Sequence, residues 1–503
     1  MIKTNKFSRR GFLSRGIGLG MSCCAMPGLA FMITPDRNNN TNHFLNLYSK
    51  TKGTKYLFAD DEMIALMKNV SRRIHPAMKL EYPVLEADMQ WEQGEIYDGK
   101  RDRRVYIYGT VFRNENTGSF SMWYNRIRSA YYATSYDGIN WQRPELGIIG
   151  RNNMINLFDF HSPSFIFDER EPDSKKRYKV VGSTKEGYCA AYSADGLNWT
   201  LYPKNPILKS SDTITLAQDP ANGEYLAFHK VNNDPRVKGR QVFLSVSKDM
   251  QNWTNPVPVM VTDEIDHMEA QKLEGGTHSE FYNMSAFPYG DQWLGFVTHF
   301  RRTGEPRIKK FDGGSRQSFA EGPIDIQLVH SRDGRTWNRC SDRSPVIPLG
   351  PYAYDSGSIL GLCNSPVIVG DEIWMYYTAM TTSHGGALPE KEMSIARASW
   401  RLDGLVSMQA QTDPGIIETV PFTPDGDRLY LNIDVKQGEL MVEILDNNGN
   451  VITGYDKNAC LIQYKDSVNL PIKWNNLALL PKQKSIRLRF YMKRGDLYSY
   501  SVI

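Results

Sequence analysis

The chain has 503 residues, 41% apolar and 23% charged, enough for several domains and too apolar for general disorder. Sixty Lys and Arg against 56 Asp and Glu leave a net charge of +4, too balanced for a general nucleic-acid binder. Aromatic residues make up 12%, with 27 Tyr and 10 Trp, which suits an all-β protein or a carbohydrate binder better than a helical bundle.

At the N-terminus, Phe7-Ser8-Arg9-Arg10-Gly11-Phe12-Leu13 resembles a twin-arginine export signal. A weakly apolar stretch runs from Gly16 to about Phe31, too short and too rich in Gly and Ser for a membrane span, and Gly28-Leu29-Ala30 reads as a cleavage site. The expectation is a signal peptide over 1–30, a linker over 31–54 and a periplasmic or secreted protein with no membrane insertion after signal removal. Gly20-Met21-Ser22-Cys23 fits a lipoprotein poorly. Beyond the signal, Cys189, Cys340, Cys363 and Cys460 form no C-x-x-C pair and no His-rich cluster. No metal and no cofactor are therefore expected. One disulfide of unreadable pairing and four buried thiols are both compatible with these cysteines.

A repeat dominates the middle of the chain. Ser135-Tyr-Asp137-Gly138-Ile-Asn140-Trp141 returns as Ser193-Ala-Asp195-Gly196-Leu-Asn198-Trp199, as Ser247-Lys-Asp249-Met250-Gln-Asn252-Trp253 and as Ser331-Arg-Asp333-Gly334-Arg-Thr336-Trp337. From Trp141 to Trp199 to Trp253 to Trp337 the intervals are 58, 54 and 84 residues. Arg401-Leu-Asp403-Gly404-Leu-Val-Ser407 is a degenerate fifth copy. Ser and Asp can bond the turn backbone, Gly supplies positive φ and Trp can cover the end of the hairpin. Alternating strands precede the first three copies at 129–134, 187–192 and 241–246. Apolar segments at 120–125, 178–182, 225–229, 293–297 and 372–377 read as the inner strand of each unit. The period fits four-stranded propeller blades. The expected fold is all-β: a five-bladed β-propeller over 55–408, followed by a β-sandwich over 409–503. The region before residue 105 leaves a sixth unit open. In the last segment, strands are expected over 428–435, 439–445, 450–454 and 485–492, with a hairpin turn at Asp446-Asn-Asn-Gly449.

The repeats, the opening Leu57-Phe-Ala-Asp60-Asp61 and the close at 401–407 resemble bacterial glycoside hydrolases of the five-bladed propeller superfamily: invertases, levansucrases, arabinanases and β-xylosidases. The repeat also resembles the sialidase Asp box, but here Gly follows Asp one residue early. The resemblance implies an exported hydrolase of a polysaccharide or oligosaccharide, with acidic residues around a central channel. Two carboxyl groups would face each other across the bond, one protonated and one ionised.

The candidate acids follow from that. Asp60 or Asp61 opens the first unit, where the resemblance implies a base or nucleophile; the alternative is that they cap a helical run over 62–68. Trp91 and Glu92 lie in the same unit. Asp168, after Phe165-Ile-Phe167, is a candidate third acid or a turn residue, and Asp219 reads as structural. His278, Glu280 and Tyr282 alternate along a strand and so share one face. Glu280 is the candidate general acid, and Asp355, after Tyr354, the candidate base or nucleophile. His384 sits in a Gly-rich loop that can close over substrate; the alternative is a solvated loop histidine. The segment 299–316 holds six Arg or Lys, Arg301 and Arg302 among them, against two acids; folded over the channel mouth it suits an anionic sugar, and the alternative is a solvated loop. A propeller polysaccharide lyase and a non-catalytic glycan binder remain alternatives. Oligomeric state is not legible.

Overall fold

The computed structural model describes residues 54–503 apart from 210–211, 305–317, 341 and 483–484. The signal-like segment and most of the basic segment lie outside the described residues. The chain is all-β, and every ladder of three or more strands is antiparallel. Among the described residues one α-helix of two turns, Glu264–Gln271, interrupts it. Asp263 caps that helix, accepting the backbone N–H of Asp266.

Four sheets of four strands follow one another as simple meanders, each in chain order from its first strand. Their first strands are Val111–Arg113, His161–Phe167, Ile214–Gln218 and His278–Tyr289. A fifth sheet begins with Ser358–Leu362 and continues through Glu372–Met380 and Met393–Arg401. Its outermost strand is Met78–Lys79, from the other end of the chain. Each later sheet packs on the one before it through its own first strand, and Val367–Val369 of the fifth packs on Val111–Arg113 of the first, so the five close into a ring. Side chains stitch these seams: Thr110 Oγ1 donates to the Phe165 carbonyl at 2.6 Å, Leu216 N to Ser164 Oγ at 3.0 Å and Thr378 Oγ1 to the Ile107 carbonyl at 3.0 Å.

The segments expected to be inner strands are the second strands of their sheets: Phe120–Arg126, Tyr178–Ser183, Tyr225–His229, Gln292–Arg302 and Glu372–Met380. Both faces of a second strand are covered by adjacent sheets, which makes it the most continuously apolar. The first strands carry polar residues at their starts and stand out less.

The repeats close the hairpins between third and fourth strands. Ser135 Oγ accepts the Gly138 N–H at 2.9 Å, and Asp137 Oδ1 accepts those of Ile139 and Asn140 at 2.9 and 2.7 Å. The same bonds recur around Ser193–Asp195 and Ser331–Asp333. Gly138 has φ 69°, and a Cβ there would lie 2.6 Å from the Tyr376 hydroxyl and 2.8 Å from the Trp374 ring. In the third copy Met250 takes the same conformation, φ 65°, without that freedom. The degenerate fifth copy does something else: Asp403 accepts Lys55 Nζ at 2.9 Å, the Tyr289 hydroxyl at 2.6 Å and Ser499 Oγ at 2.7 Å, tying three distant segments together.

Two further sheets form around the C-terminal residues. One orders Val70–Ile74, Val406–Ala410, Gly495–Val502, Leu429–Asp434 and Asp466–Pro471, with Lys55–Leu57 also on Gly495–Val502. The other orders Ile64–Lys68, Gly415–Thr419, Arg487–Lys493, Glu439–Leu445 and Leu461–Gln463. A core of their own, including Trp474, Phe490, Ile433 and Val442, lies among them. Residues 55–74 thus pair with C-terminal strands, although the sequence suggests they open the first repeat unit. Within 62–68, Ile64–Lys68 is a strand where a helix is the alternative reading, because it pairs along the edge of a sheet at Gly415–Thr419. Residues 450–454 make a single bridge, Leu445 with Val451, because the chain turns away after Gly449 at φ 83°. All four described cysteines are buried and unpaired.

Candidate active site

At the end of the ring where the first strands begin, all five sheets contribute side chains to one cluster. The first sheet brings Tyr106 and Tyr108 from the segment before its first strand. The second brings His161, whose ring lies 6.2 and 6.4 Å from those of Tyr106 and Tyr108. Asp212 precedes the first strand of the third sheet, Lys230 follows its second and Arg240 precedes its third. The fourth gives His278, Glu280, Tyr282 and Arg302. From the fifth, the His384 ring packs 5.3 Å from Tyr282 and 5.0 Å from Phe300.

Two carboxylates stand in this cluster, each held by cations. Glu280 Oε2 accepts Arg240 Nη1 at 2.6 Å and Arg302 Nη1 at 3.4 Å, and His278 Nε2 lies 3.5 Å from Oε1. Burial pulls the Glu280 carboxyl upward, but Arg240, Arg302 and His278 outweigh it and hold it below the ordinary glutamate value. Asp212 pairs with Lys230, and His161 Nε2 lies 3.9 Å from its Oδ1. Burial again opposes, and Lys230, His161 and Arg240 hold the Asp212 carboxyl below its usual range. Both are carboxylates at neutral pH. Burial brings the Lys230 ammonium down to about 8, against the pull of Asp212. Its Nζ sits 3.2 Å from the centroid of the Tyr282 ring. Asp212 has φ 145°, a backbone angle that L residues rarely adopt; strain of this kind concentrates at functional sites.

The other sequence candidates lie elsewhere. Asp61 is exposed and pairs with Arg72. Asp60 is bound by Arg332 beside the C-terminal sheets. Glu92 is wholly buried in the first sheet, accepting Arg143 Nε at 2.7 Å and the Tyr124 hydroxyl, while Trp91 Nε1 donates to Asn153 at 2.8 Å. Asp168 follows its strand at the far end of the ring, bonded to the Tyr225 hydroxyl and 3.7 Å from Lys179 Nζ. Asp355 is drawn back into the fifth sheet, where Lys79 Nζ donates to it at 2.6 Å and the Tyr377 hydroxyl at 2.9 Å. Arg301 points to the opposite face of its strand from Arg302 and pairs with Asp325. Asp219 receives Arg335 at 2.9 Å.

Asp212, Lys230, Arg240 and His161 were not singled out from the sequence. The available signal is positional: each flanks a strand at the end where the first strands begin. It becomes readable only once first and second strands are told apart.

The far end of the ring holds a cavity of about 190 Å³, floored by Val111, Ile166, Leu216 and Phe287. Asn364 separates it from the charged end, its Nδ2 donating to the Phe165 and Leu216 carbonyls at 2.7 and 3.0 Å. That cavity has no convergent pair of carboxylates, which is why the charged end is the candidate site. Among the described residues no group of three or more His, Cys, Asp or Glu is arranged to hold a metal ion.

No family model matches the chain. A 1,2-beta-oligomannan phosphorylase of Thermoanaerobacter sp. (strain X514) is 21% identical over 193 residues, covering 35% of this chain. The match spans 58% of that curated relative's length. Among solved structures, one titled a glycoside hydrolase is 12% identical with a TM-score of 0.41, covering 67% of this chain and 92% of that one. The catalytic domain of a Coprinopsis cinerea GH62 alpha-L-arabinofuranosidase is 11% identical with a TM-score of 0.40, over 65% and 97% of the two chains. A Bombyx mori GH32 beta-fructofuranosidase is 10% identical with a TM-score of 0.35, over 78% and 90%. The solved structures to which the chain is similar thus include ones titled as a glycoside hydrolase, an arabinofuranosidase and a fructofuranosidase.

Proposed function

We propose that this protein is an enzyme that cleaves glycosidic bonds in a glycan, at the end of the ring where Asp212 and Glu280 meet. We read the ring as a five-bladed β-propeller over about 78–402. The paired C-terminal sheets, with residues 55–74 added, read as a β-sandwich. The observation that carries the function is the pair of carboxylates from adjacent sheets, linked through Lys230 and Arg240 and flanked by the rings of Tyr106, Tyr108 and Tyr282. Aromatic faces suit sugar rings, and two acids suit the chemistry of the bond.

Glu280 is the proton donor to the leaving oxygen and Asp212 activates the attacking group. Asp355 has no part, since Lys79 and Tyr377 already occupy its carboxylate inside the fifth sheet. The excess of cations around the pair favours a glycan that carries negative charge. The attacking group is water in a hydrolase and phosphate in a phosphorylase; the curated relative's name supports testing both. A lyase would need Tyr282 or His278 as base, and burial pushes the Tyr282 hydroxyl well above its ordinary value, which disfavours it. Export rests on Arg9 and Arg10.

The test is a panel of neutral, uronate and sulfated glycans assayed for new reducing ends, for ultraviolet gain and for phosphate dependence. New reducing ends without phosphate support hydrolysis, and sugar phosphates formed only with phosphate support phosphorolysis. Ultraviolet gain would replace both with elimination. Binding without turnover in the native protein would leave a glycan binder.

A further inference from the structure

Glu280 in the free protein is poorly suited to giving a proton. One of its oxygens, Oε2, takes both Arg240 and Arg302, while Oε1 faces His278. Gly239 packs so close that a Cβ there would lie 2.6 Å from Oε1. Lys230 adds positive charge from the same sheet as Arg240, and Asp212 is the other carboxylate that acts on both of these cations. A carboxylate inside so many cations stays ionised, yet cleavage needs a protonated acid at the leaving oxygen. The two arginines can be reached, as His278 and Asp212 can: Arg240 is a third exposed and Arg302 a fifth, whereas Glu280 is almost wholly covered.

We propose that Arg240 and Arg302 form an oxyanion subsite, and that an oxyanion of the ligand takes these two guanidinium groups from Glu280 and so readies Glu280 as the acid. This rests on the functional reading above and extends it to the ligand's chemistry. The oxyanion is a carboxylate or sulfate on the sugar, or free phosphate. Guanidinium groups suit any of these through paired N–H donors. Once they are engaged, the opposing charge of the two arginines is drawn off Glu280, and a like charge comes to lie beside it. It then takes one proton from solvent. That proton passes to the glycosidic oxygen as the bond from the anomeric carbon breaks, its electron pair staying on that oxygen. Water attacks the anomeric carbon and gives its proton to Asp212, which returns it to solvent.

The experiment is titration calorimetry of the protein with D-glucuronate, D-galacturonate, inorganic phosphate and, as neutral controls, D-glucose and D-galactose. It is run at about pH 5, just above the ordinary glutamate range, in two buffers of different ionisation enthalpy. The expected result is anion binding with net proton uptake, absent for the neutral sugars. Glu280→Gln keeps the binding and loses the uptake. Arg240→Ala and Arg302→Gln each weaken it about tenfold, the size of one charge-assisted hydrogen bond, and Arg240→Lys weakens it less. Circular dichroism of each variant separates this loss from misfolding. Uronate binding assigns the oxyanion to the sugar; phosphate binding with uronates silent assigns it to free phosphate. No anion binding, or binding indifferent to both arginines, overturns the subsite. Anion binding without proton uptake overturns the handover to Glu280. Cleavage of neutral glycans indifferent to Arg240 would sink this inference and leave the functional reading standing. Cleavage retained in Glu280→Gln would sink the functional reading instead.

Discussion

The hairpin ends of the ring and its charged mouth are built by opposite rules. At the hairpins, a seven-residue segment makes the same few bonds in copy after copy, and nearly all of them stay within the segment. At the mouth, each sheet contributes a different set of side chains, and the contacts that matter join residues on different strands or loops. Repetition therefore serves the scaffold, and departures from it serve the chemistry. Asp403 shows the boundary: the fifth copy gives up its hairpin bonds and binds Lys55, Tyr289 and Ser499 instead.

The widest separation is expected from Glu280→Gln. It should lower turnover by about 10²–10⁴-fold, the contribution of a positioned general acid, and leave the melting temperature close to that of the parent. If turnover survives, the mouth is not the site. Asp355→Ala should do the reverse. It leaves the Lys79 ammonium, 3% exposed, without its buried partner, and costs about 3–5 kcal/mol in denaturant unfolding. Activity per folded molecule should stay near the parent's.

The histidines add a pH dependence that belongs to the scaffold. Burial holds His229 at about 4 and His299 and His384 at about 3, all below the unfolded value. The unfolded chain thus binds more protons between about pH 6.5 and 4, and stability falls as pH falls through that window. Asp325 opposes this. Burial pushes its carboxyl up to about 6, so its own term makes the protein less stable as pH rises from about 4 to 6. Three histidines against one aspartate give a melting temperature that drops on acidification. His229→Gln should flatten that slope, as thermal melts across the window will read.

Smaller effects sharpen the contrast. Gly138→Ala should cost about 1–3 kcal/mol, because its Cβ runs into Tyr376 and Trp374, with little change in activity. Gly239→Ala should cost about 1 kcal/mol, because Gly239 holds φ 67°, and about tenfold in activity, because the three atoms nearest its Cβ belong to Glu280. Equal losses of both quantities in both variants would erase the distinction drawn between hairpin and mouth.

The amino-acid order alone determined what is local. Ser, Asp, Gly and Trp within seven residues suffice to specify a hairpin end, because their bonds close inside the segment. Alternation and turn residues likewise specify Glu439–Leu445, and the alternation of His278, Glu280 and Tyr282 places all three on one strand face. Tertiary structure decided which strand of each sheet lines the ring. It decided that residues 55–74 pair with C-terminal strands, and that Asp355 turns inward to Lys79. It also decided that Asp212, Lys230 and Arg240 meet Glu280. The reason is the same in each case. A lone aspartate or lysine beside a strand carries no local mark of its partner, and the partner's identity depends on the order and closure of the sheets, across separations from 18 residues for Asp212 and Lys230 to 276 for Lys79 and Asp355.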